Sequence, residues 1–472
     1  MKVLVGHSYF LRFDPKLYEA MRPYPPLGTM LVAAQLREAG HDVAMFDAML
    51  AESARDWVDL LEEFRPDAAV IFEDNFNYLS KMCLLNMRDA AFEMLGAARN
   101  HGCRVGVCGS DATDNVGAFL EAGAEVVLRG EGDATLLELV EAWETGSATD
   151  EVAGTSYRNA AGVVVDVADR ANMKGLDDLP FPARDLVDGD QYRDAWLSRH
   201  GRYSVNLVTT RGCPYHCNWC AKPIWGQRYN ARSPQDVVAE ILAIRSDQQP
   251  DHLWFADDIV GLKPGWIAEF ADLLTEHDAI IPFTALSRPD LLVKGDTAEQ
   301  FARAGAEIVW VGAESGSQVV LDAMEKGTTV DQIVEAADRV HAAGFKIAFF
   351  IQFGYPGETF EQIEETLDLI WRARPDDVGV SVSYPLPGTS FHDRVVEQLG
   401  DVRNWRDSDD MAMLFEGPFP TEFYREVHTR LHLEYRARRM WWRVRSGDRV
   451  PVCENWHRYL RGCCNCQLRS GG

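Results

Sequence analysis

The sequence predicts an α/β protein with a doubly wound (Rossmann-like) N-terminal domain, a partial (β/α)6 barrel and a helical C-terminal extension. Short β-branched runs alternate with helical patterns over the first 145 residues, and a proline-containing segment interrupts the alternation near residue 180. The alternation then resumes from residue 204 to residue 383. We therefore predict these regions: 1–150, the doubly wound domain; 151–200, a hairpin and linker; 201–395, the partial barrel; 396–472, the C-terminal region.

Length and composition narrow the class of protein. A chain of 472 residues has room for about three domains of ordinary size. Its net charge of −26 repels phosphate backbones, so we expect no nucleic-acid partner. The first residues show no signal-peptide pattern, and no stretch approaches 18 consecutive apolar residues. We expect a soluble, cytoplasmic protein.

The N-terminal region contains five predicted strands. They are residues 2–6, 42–48, 68–73, 104–108 and 125–129. Helical patterns separate them, which indicates a parallel sheet with right-handed crossovers. A ligand of such a sheet lies at the carboxyl ends of the strands, where the loops starting at His7, Asp74, Gly109 and Gly130 follow.

A hairpin and a linker are predicted next. Residues 152–167 alternate like two antiparallel strands, whereas Pro180 and Pro182 favour an extended segment over residues 176–186.

Six further strands are predicted beyond the linker. They are residues 204–209, 252–256, 281–286, 308–313, 346–353 and 377–383. Six βα units are too few to close an eight-stranded barrel, so we expect a partial barrel with its chemistry at the carboxyl ends of the strands.

Three cysteines follow the first strand of the predicted barrel in the segment TTRGCPYHCNWCAKP. Cys213, Cys217 and Cys220 have the spacing C-x3-C-x2-C. Three thiolates in one loop suit a four-iron cluster, because the fourth iron then keeps an open position for a small molecule. A structural zinc site needs four closed ligands. Zinc and a reactive thiol pair remain the alternatives.

The cysteine segment resembles the cluster-binding motif of the radical S-adenosylmethionine (SAM) superfamily. The resemblance implies that a 4Fe-4S cluster on Cys213, Cys217 and Cys220 binds SAM through its open iron. It also implies reductive cleavage of SAM to methionine and a 5′-deoxyadenosyl radical, with an external electron donor of the flavodoxin or ferredoxin type. The barrel interior would shield that radical from water.

The same resemblance extends to other positions. The SAM-binding residues that it implies are Trp219, Asp257, Asp258, Arg288, Glu314 and Ser315. Trp219 matches a ring placed against adenine, with core packing as the alternative. Glu314 matches a carboxylate that binds the ribose hydroxyls. Arg288 would pair with the methionine carboxylate or form a structural salt bridge.

The doubly wound domain, with VCGSDAT, VVLRGEGDATLLELVEA and DLPFPARDL, resembles the cobalamin-binding subgroup of that superfamily. The cobalamin contacts predicted at the strand ends are Asp74, Asn75, Gly109, Ser110, Gly130 and Glu131. The Asp-x-His-x-x-Gly signature of a cobalt-ligating histidine is absent, so His7 is predicted to be a loop residue. The alternative is a relic domain that shapes the substrate pocket and holds no cofactor.

The C-terminal region reverses the charge of the chain. Residues 425–449 contain eight Arg and three acidic residues, a local charge of +5. This predicted helix could contact a membrane surface, a carrier or an anionic substrate, or dock on the acidic body of the protein, which we prefer. A second metal site is predicted at Cys453, Cys463, Cys464 and Cys466.

Taken together, the resemblance implies a cobalamin-dependent C-methyltransferase. A methyl group would move from SAM, via methylcobalamin, to an unactivated carbon of a small-molecule secondary metabolite, tetrapyrrole or lipid. One alternative is a radical SAM cyclase or rearrangement enzyme without net methyl transfer. The other is a noncatalytic iron-sulfur or corrinoid sensor.

Overall fold

The computed structural model describes residues 1–220, 224–399 and 404–445. The chain divides into a first unit, Met1–Thr421, and a second unit that starts at Glu422. The first unit contains two extended sheets, and the described part of the second unit is helical.

The first sheet has seven strands. They are β1 (Lys2–Gly6), β2 (Asp42–Phe46), β3 (Ala68–Phe72), β4 (Arg104–Cys108), β5 (Val126–Leu128), β6 (Thr155–Arg158) and β7 (Val164–Asp166). Their order is β2-β1-β3-β4-β5-β6-β7. Strands β1 to β5 are parallel, whereas β6 and β7 pair antiparallel. The parallel part therefore has the 2-1-3-4-5 order of a doubly wound domain.

Helices connect these strands. They are α1 (Pro15–Ala20), α2 (Leu27–Glu38), α3 (Ala54–Phe64), α4 (Tyr78–Lys81), α5 (Leu85–Asn100), α6 (Ser110–Asp114), α7 (Val116–Ala122) and α8 (Asp133–Thr145). Two apolar clusters cover the two faces of the sheet, one around Met30 and Leu136 and the other around Trp57 and Met94. Burial on both faces explains why these strands are nearly continuous apolar runs.

The second sheet has six parallel strands. The strands of this region are β8 (Ser204–Leu207), β9 (Thr210–Arg211), β10 (Asn230–Ala231), β11 (His252–Phe255), β12 (Phe283–Ser287), β13 (Ala306–Glu314), β14 (Lys346–Phe353) and β15 (Asp377–Val382). The order in the sheet is β15-β14-β13-β12-β11-β8, while β9 and β10 form a separate antiparallel pair. Consecutive neighbours of this kind are the topology of a (β/α) barrel wall.

The helices of this region complete the first unit. They are α9 (Gly189–His200), α10 (Pro234–Asp247), α11 (Trp266–Glu276), α12 (Pro289–Leu292), α13 (Thr297–Arg303), α14 (Gln318–Ala323), α15 (Val330–Ala342), α16 (Phe360–Ala373) and α17 (Ser390–Val395). Capping boxes start α15 at Thr329 and α16 at Thr359. Each cap satisfies backbone N–H groups that would otherwise lack partners, which fixes where the helix begins after its loop.

The last helix, α18 (Thr421–Arg445), lies almost wholly in the second unit. Ion pairs one turn apart join Glu426 to Arg430 and Glu434 to Arg438 along it. Among the residues that the structure describes, no helix is long and apolar enough to cross a membrane. The predicted helical C-terminal region is therefore present as far as Arg445, and Cys453, Cys463, Cys464 and Cys466 lie outside the described residues.

The predicted fold class is confirmed, with one addition. The predicted hairpin forms as β6 and β7, but it extends the first sheet through antiparallel pairing of β6 with β5. The pattern of alternation gave no indication of this partner, because pairing between β5 and β6 depends on how the intervening helix α8 returns the chain. The predicted domain boundaries stay a prediction.

A buried histidine lies at the amino end of the second sheet. His252 is 2% exposed, with its Nδ1 atom 2.8 Å from Ser204 Oγ and its Nε2 atom 3.0 Å from Thr284 Oγ1. Burial, reinforced by the charge of Arg202, lowers the pKa of His252 to about 4. An exposed histidine in the unfolded chain has a pKa of about 6.5. The unfolded chain therefore binds a proton first as the pH falls, and stability declines between about pH 6.5 and pH 4.

We predict that His252→Gln removes this part of the pH dependence. Between pH 7 and pH 5, the free energy of unfolding of the wild type should fall by about 2 kcal/mol more than that of the variant, which has no proton to gain. Urea unfolding followed by circular dichroism at the two pH values measures the difference. Equal losses in both proteins would contradict the assignment.

Candidate functional site

The three cysteines lie on an irregular loop that follows β9, here called the cysteine loop (residues 212–220). The three thiols are partly exposed. Gly212 opens the loop with φ of +83°, and a Cβ atom there would collide with the carbonyl oxygen of Arg228. Glycine is therefore required immediately before Cys213, because any side chain would displace the loop.

Asn218 anchors the cysteine loop to three other segments. Its backbone N–H donates to Met324 O and its carbonyl accepts from Phe391 N–H. Its side-chain Nδ2 donates to Ala323 O at 2.8 Å, and its Oδ1 accepts from the Tyr355 hydroxyl at 3.0 Å. A fully bonded buried amide of this kind holds its segment in one conformation, and here it stands between Cys217 and Cys220.

Asn218→Ala should lower cluster occupancy. The substitution removes the side-chain hydrogen bonds to Ala323 O, Glu325 Oε1 and the Tyr355 hydroxyl, so the spacing of the two flanking thiols is no longer fixed. We expect the iron bound per chain after anaerobic reconstitution to fall at least about twofold, measured together with acid-labile sulfide. Asn159→Ala, in the exposed turn between β6 and β7, is the matched control and should retain wild-type iron. Full iron in Asn218→Ala would refute the anchoring role.

Asp257 and Asp258 follow β11 and have different surroundings. Asp257 is buried, and its Oδ1 accepts hydrogen bonds from Thr209 N–H at 2.9 Å and from Thr210 Oγ1 at 2.6 Å. Its Oδ2 is buried without a partner, and burial raises the pKa of Asp257 to about 7. Asp258 instead pairs with Lys81 Nζ at 2.6 Å. Asp257 therefore has one buried oxygen left for a ligand, whereas Oδ1 of Asp258 is held by Lys81.

Glu314 ends β13 and forms a buried ion pair. Its Oε1 accepts from Lys326 Nζ at 2.7 Å, and both side chains are less than one-tenth exposed. Burial disfavours the charged form of Lys326, but Glu314 and Cys217 outweigh it and raise the pKa of the amine. A Cβ atom on Gly312 would meet both Glu314 Oε1 and Lys326 Nζ, so glycine makes room for the pair. A cationic amine thus interacts electrostatically with one of the three thiols.

Arg288 is buried against the same loop. Its Nε donates to Asp290 Oδ1 at 2.8 Å, its Nη2 donates to Lys326 O at 3.0 Å, and its guanidinium lies 3.5 Å from the ring centre of Tyr215. The protein therefore provides the salt bridge that was the alternative for this residue. A ligand contact would use the remaining N–H groups.

Trp219 and Ser315 lie near the same strand ends. Trp219 packs against an apolar cluster that includes Met324 and Phe391, and its buried Nε1 has no hydrogen-bond partner. Ser315 Oγ lies 3.1 Å from Thr366 Oγ1 and accepts from Ser317 N–H. Core packing therefore accounts for one side of the Trp219 ring, whereas Ser315 shapes the turn after β13.

The carboxyl edge of the first sheet is lined with buried polar groups. Glu73 accepts from Ser8 Oγ at 2.5 Å, and burial raises the pKa of Glu73 to about 7. Asn75 Oδ1 and Ser110 Oγ are buried without hydrogen-bond partners. A Cβ atom at Gly109 would approach Glu73 Cγ to 2.8 Å, so the backbone of β4 passes directly beside that carboxyl group.

Two other residues predicted at this edge are bound within the protein. Asp74 Oδ1 accepts from Gly28 N–H at 3.0 Å and from Phe76 N–H at 3.2 Å. Glu131 pairs with Arg211 and accepts from Met173 N–H at 2.7 Å. His7 is buried with Nε2 3.0 Å from Asp47 Oδ1. The orphan oxygens of Asn75 and Ser110 remain for a ligand of this edge.

The carboxyl ends of the two sheets meet in the first unit. Arg211, next to the cysteine loop, pairs with Glu131 and with Asp133, whose Oδ1 lies 3.1 Å from Arg211 Nη2. On the other side, Lys81 pairs with Asp258. The rings of Phe76 and Trp225 stack between these pairs, with their centres 5.0 Å apart and Lys81 Nζ 4.9 Å from the Trp225 ring. The two strand edges thus form one composite site.

The site also contains residues that were not predicted from the sequence, among them Asn218, Lys326 and Arg211. Lys326 and Arg211 carry charges that are normally exposed. The partner that allows Lys326 to be buried lies 12 residues away along the chain, and those of Arg211 lie 78 or more residues away. Asn218 lies inside the cysteine motif, where the predicted site residues were the cysteines and Trp219. No signal in a single sequence separates these residues from surface ones.

The donor set fits a four-iron cluster. Within the described residues, no group of three or more His, Cys, Asp or Glu side chains converges on one point as ligands of a single metal ion would. A cubane does not require this convergence, because each thiolate binds a different iron. Three thiols on one anchored loop, with a cationic amine that interacts electrostatically with Cys217, suit an anionic cluster with one open iron.

The sequence of this chain is similar to those of known proteins. Residues 207–370 match the Radical SAM superfamily. An uncharacterised methyltransferase of Pyrococcus horikoshii is 26% identical over 389 residues, which are 81% of this chain and 81% of that protein. The hopanoid C-3 methylase of Methylococcus capsulatus is 25% identical over 456 residues, which are 93% of this chain and 81% of that protein.

A solved structure shares the fold. It is the radical S-adenosylmethionine methyltransferase TsrM from Kitasatospora setae with cobalamin and a [4Fe-4S] cluster bound. Its TM-score is 0.67 at 20% identity, and the match covers 84% of this chain and 78% of that chain. The predicted resemblance to radical SAM enzymes and the predicted fold are confirmed. The individual SAM and cobalamin contacts stay predictions.

Proposed function

Since residues 207–370 are a radical SAM domain, we propose that this enzyme is a cobalamin-dependent C-methyltransferase that uses a 4Fe-4S cluster and SAM. Its substrate is a small molecule with an unactivated carbon, and its electrons come from an external flavodoxin- or ferredoxin-type donor. The methyltransferase names of the two relatives and the cobalamin in the TsrM structure support this proposal.

The single observation that carries the proposal is the meeting of the two strand edges. A corrinoid at the carboxyl edge of the first sheet and a cluster at the carboxyl edge of the second would face one another across the Arg211–Glu131 and Lys81–Asp258 pairs. Methyl transfer from a corrinoid to a substrate carbon radical needs this proximity, because the corrinoid and the SAM at the cluster must both reach the same substrate atom.

The chain's own residues have distinct proposed roles around the cluster. Cys213, Cys217 and Cys220 are its ligands. Asp257 Oδ2, which is buried without a hydrogen-bond partner at the end of β11, accepts a hydrogen bond from SAM. The Glu314–Lys326 pair at the end of β13 presents both an acceptor and a cation, which suits the amino and carboxylate groups of an amino acid.

At the other edge, Asn75 and Ser110 would hold polar groups of the corrinoid, while Gly109 and Gly130 allow its close approach to the backbone. When bound, the cluster supplies an electron for SAM cleavage and the corrinoid carries the methyl group. The stacked Phe76 and Trp225 rings help to exclude water between the two edges.

The proposal is tested with methyl-labelled SAM. Anaerobically purified protein should contain four irons and one corrinoid per chain, and incubation with a reductant and labelled SAM should place label in the extracted corrinoid. This experiment needs no knowledge of the substrate. Two results together would overturn the methyltransferase assignment. The label would stay in SAM, and protein purified from corrinoid-rich cells would contain no corrinoid.

The two alternatives give other outcomes in the same assay. A radical SAM cyclase would form 5′-deoxyadenosine without moving label. A noncatalytic sensor would bind iron or corrinoid and form neither product.

A further inference from the structure

The two faces of the six-stranded sheet differ in how they are covered. Paired residues in a parallel sheet point to the same side. One side, called the helix face, contains Val309, Ile347, Phe349 and Ile351, all at most 1% exposed. The opposite side, called the lumen face, contains Leu286, Trp310 and Phe350 and is only partly covered. The lumen face is therefore accessible apolar surface.

An aromatic pair forms the middle of the lumen face. The rings of Trp310 and Phe350 stack with their centres 4.7 Å apart at 27°, and Phe350 is 37% exposed. Gly379, opposite Phe350 on β15, lets both rings lie flat, because a Cβ atom there would meet each of them at 3.3 Å. A large aromatic side chain that keeps more than a third of its surface open inside a sheet is unusual for a packed core.

On the β8 side, by contrast, the lumen face is already occupied. Tyr24 stacks on Trp254 with ring centres 6.3 Å apart, and its hydroxyl lies 2.9 Å from Ser204 Oγ. Asn206 donates to Pro25 O at 2.7 Å. The open part is thus confined to strands β12 to β15.

The upper end of this open surface is polar. The Glu314–Lys326 pair sits on Gly312, two residues beyond Trp310 along β13. Gln352, two residues beyond Phe350, is 5% exposed and its Oε1 has no hydrogen-bond partner. Ser383, just after β15, is buried with an unpartnered Oγ. Buried acceptors without partners above an apolar surface mark the place of a ligand's hydrogen-bond donor.

We infer that the substrate is a flat, largely apolar polycyclic molecule with a hydrogen-bond donor at one end. Its ring system lies on Trp310 and Phe350, and its donor binds Gln352 Oε1 beneath the Glu314–Lys326 pair. This inference rests on the proposed function, since it names the substrate class of the same site. Trp310, Phe350, Gly379 and Gln352 are then specificity-determining residues.

The probe for the test is 1-pyrenemethanol, a fluorescent four-ring molecule with one hydroxyl. Its fluorescence anisotropy is measured as the anaerobic holoenzyme is added without reductant, so that no turnover occurs.

Phe350→Ser removes half of the aromatic surface, and Gly379→Leu displaces both rings. We expect each change to raise the Kd about tenfold, the usual effect of losing one aromatic contact. The matched control, Phe360→Ser at the start of α16, should change the Kd less than about twofold, because Phe360 lies on a helix and not on the lumen face.

Gln352→Leu tests the polar end separately. The wild type should bind 1-pyrenemethanol more tightly than 1-methylpyrene, and the variant should bind the two equally, because a leucine offers no acceptor. Iron content and circular dichroism establish that each variant is folded. A Kd unchanged by Phe350→Ser, Gly379→Leu and Gln352→Leu would overturn the inference, even if the enzyme cleaves SAM. Failure of SAM cleavage with intact, mutation-sensitive probe binding would instead count against the proposed function alone.

Discussion

Replacing Cys213, Cys217 or Cys220 by alanine should abolish SAM cleavage. Each thiolate is proposed to hold one iron of the cubane, and two ligands from one loop cannot keep three irons in place. Because the cluster supplies the electron, we expect 5′-deoxyadenosine formation to fall by at least about 10³-fold, or about 4 kcal/mol of activation free energy. The product is quantified by chromatography after incubation with SAM and reductant under anaerobic conditions.

Cys103→Ala is the matched control for this series. Cys103 is also a thiol, but it is buried in the first sheet's apolar cluster. Its removal should leave iron content and 5′-deoxyadenosine formation unchanged. Wild-type cleavage in any of the three loop variants, or equal loss in Cys103→Ala, would refute the assignment of the cluster ligands.

Arg211→Met should be the most destabilising single substitution at the junction of the two sheets. Arg211, Glu131 and Asp133 are all at most 9% exposed as side chains. Removing the guanidinium leaves two buried carboxylates without their cation, and breaking a buried pair in this way costs about 3–5 kcal/mol. We expect a lower thermal unfolding midpoint, together with reduced iron content because Gly212 and Cys213 follow directly.

The pH dependence of that loss identifies its cause. Burial already raises the pKa of Glu131, opposed chiefly by Arg211, so loss of Arg211 raises that pKa further. A carboxyl group whose folded pKa lies above its unfolded value stabilises the fold at low pH, and this contribution is lost as the pH rises. The deficit of Arg211→Met should therefore grow as the pH is raised.

Two further variants complete this test. Adding Glu131→Gln and Asp133→Asn to Arg211→Met should restore much of the stability, because neutral amides do not need the cation. Arg37→Met, which breaks the exposed pair with Asp185, should cost no more than about 1 kcal/mol. A deficit independent of pH and not relieved by the amides would show that Arg211 acts through packing alone.

The strands could be predicted from the sequence because parallel buried strands are short apolar runs with clear ends. Residues 104–108 and 346–353, for example, are strands with the predicted bounds. The pairing of β6 with β5 could not be predicted in this way, because antiparallel pairing leaves no mark on local alternation.

In the candidate site, too, local features could be predicted from the sequence and long-range contacts could not. The cysteine spacing is local and was visible, as was Glu314 at a strand end. Glu131 and Asp258 were predicted as ligand contacts, whereas the structure also gives them the partners Arg211 and Lys81. Those partners lie 80 and 177 residues away, so only the folded chain brings them together.

The most direct test of the central claim is the electron paramagnetic resonance spectrum of the reduced protein with and without SAM. A four-iron cluster with one open iron should give a signal whose g values shift when SAM is added, because SAM occupies that iron. A cluster signal that SAM leaves unchanged, or zinc in place of iron in the cysteine loop, would contradict the proposed cluster.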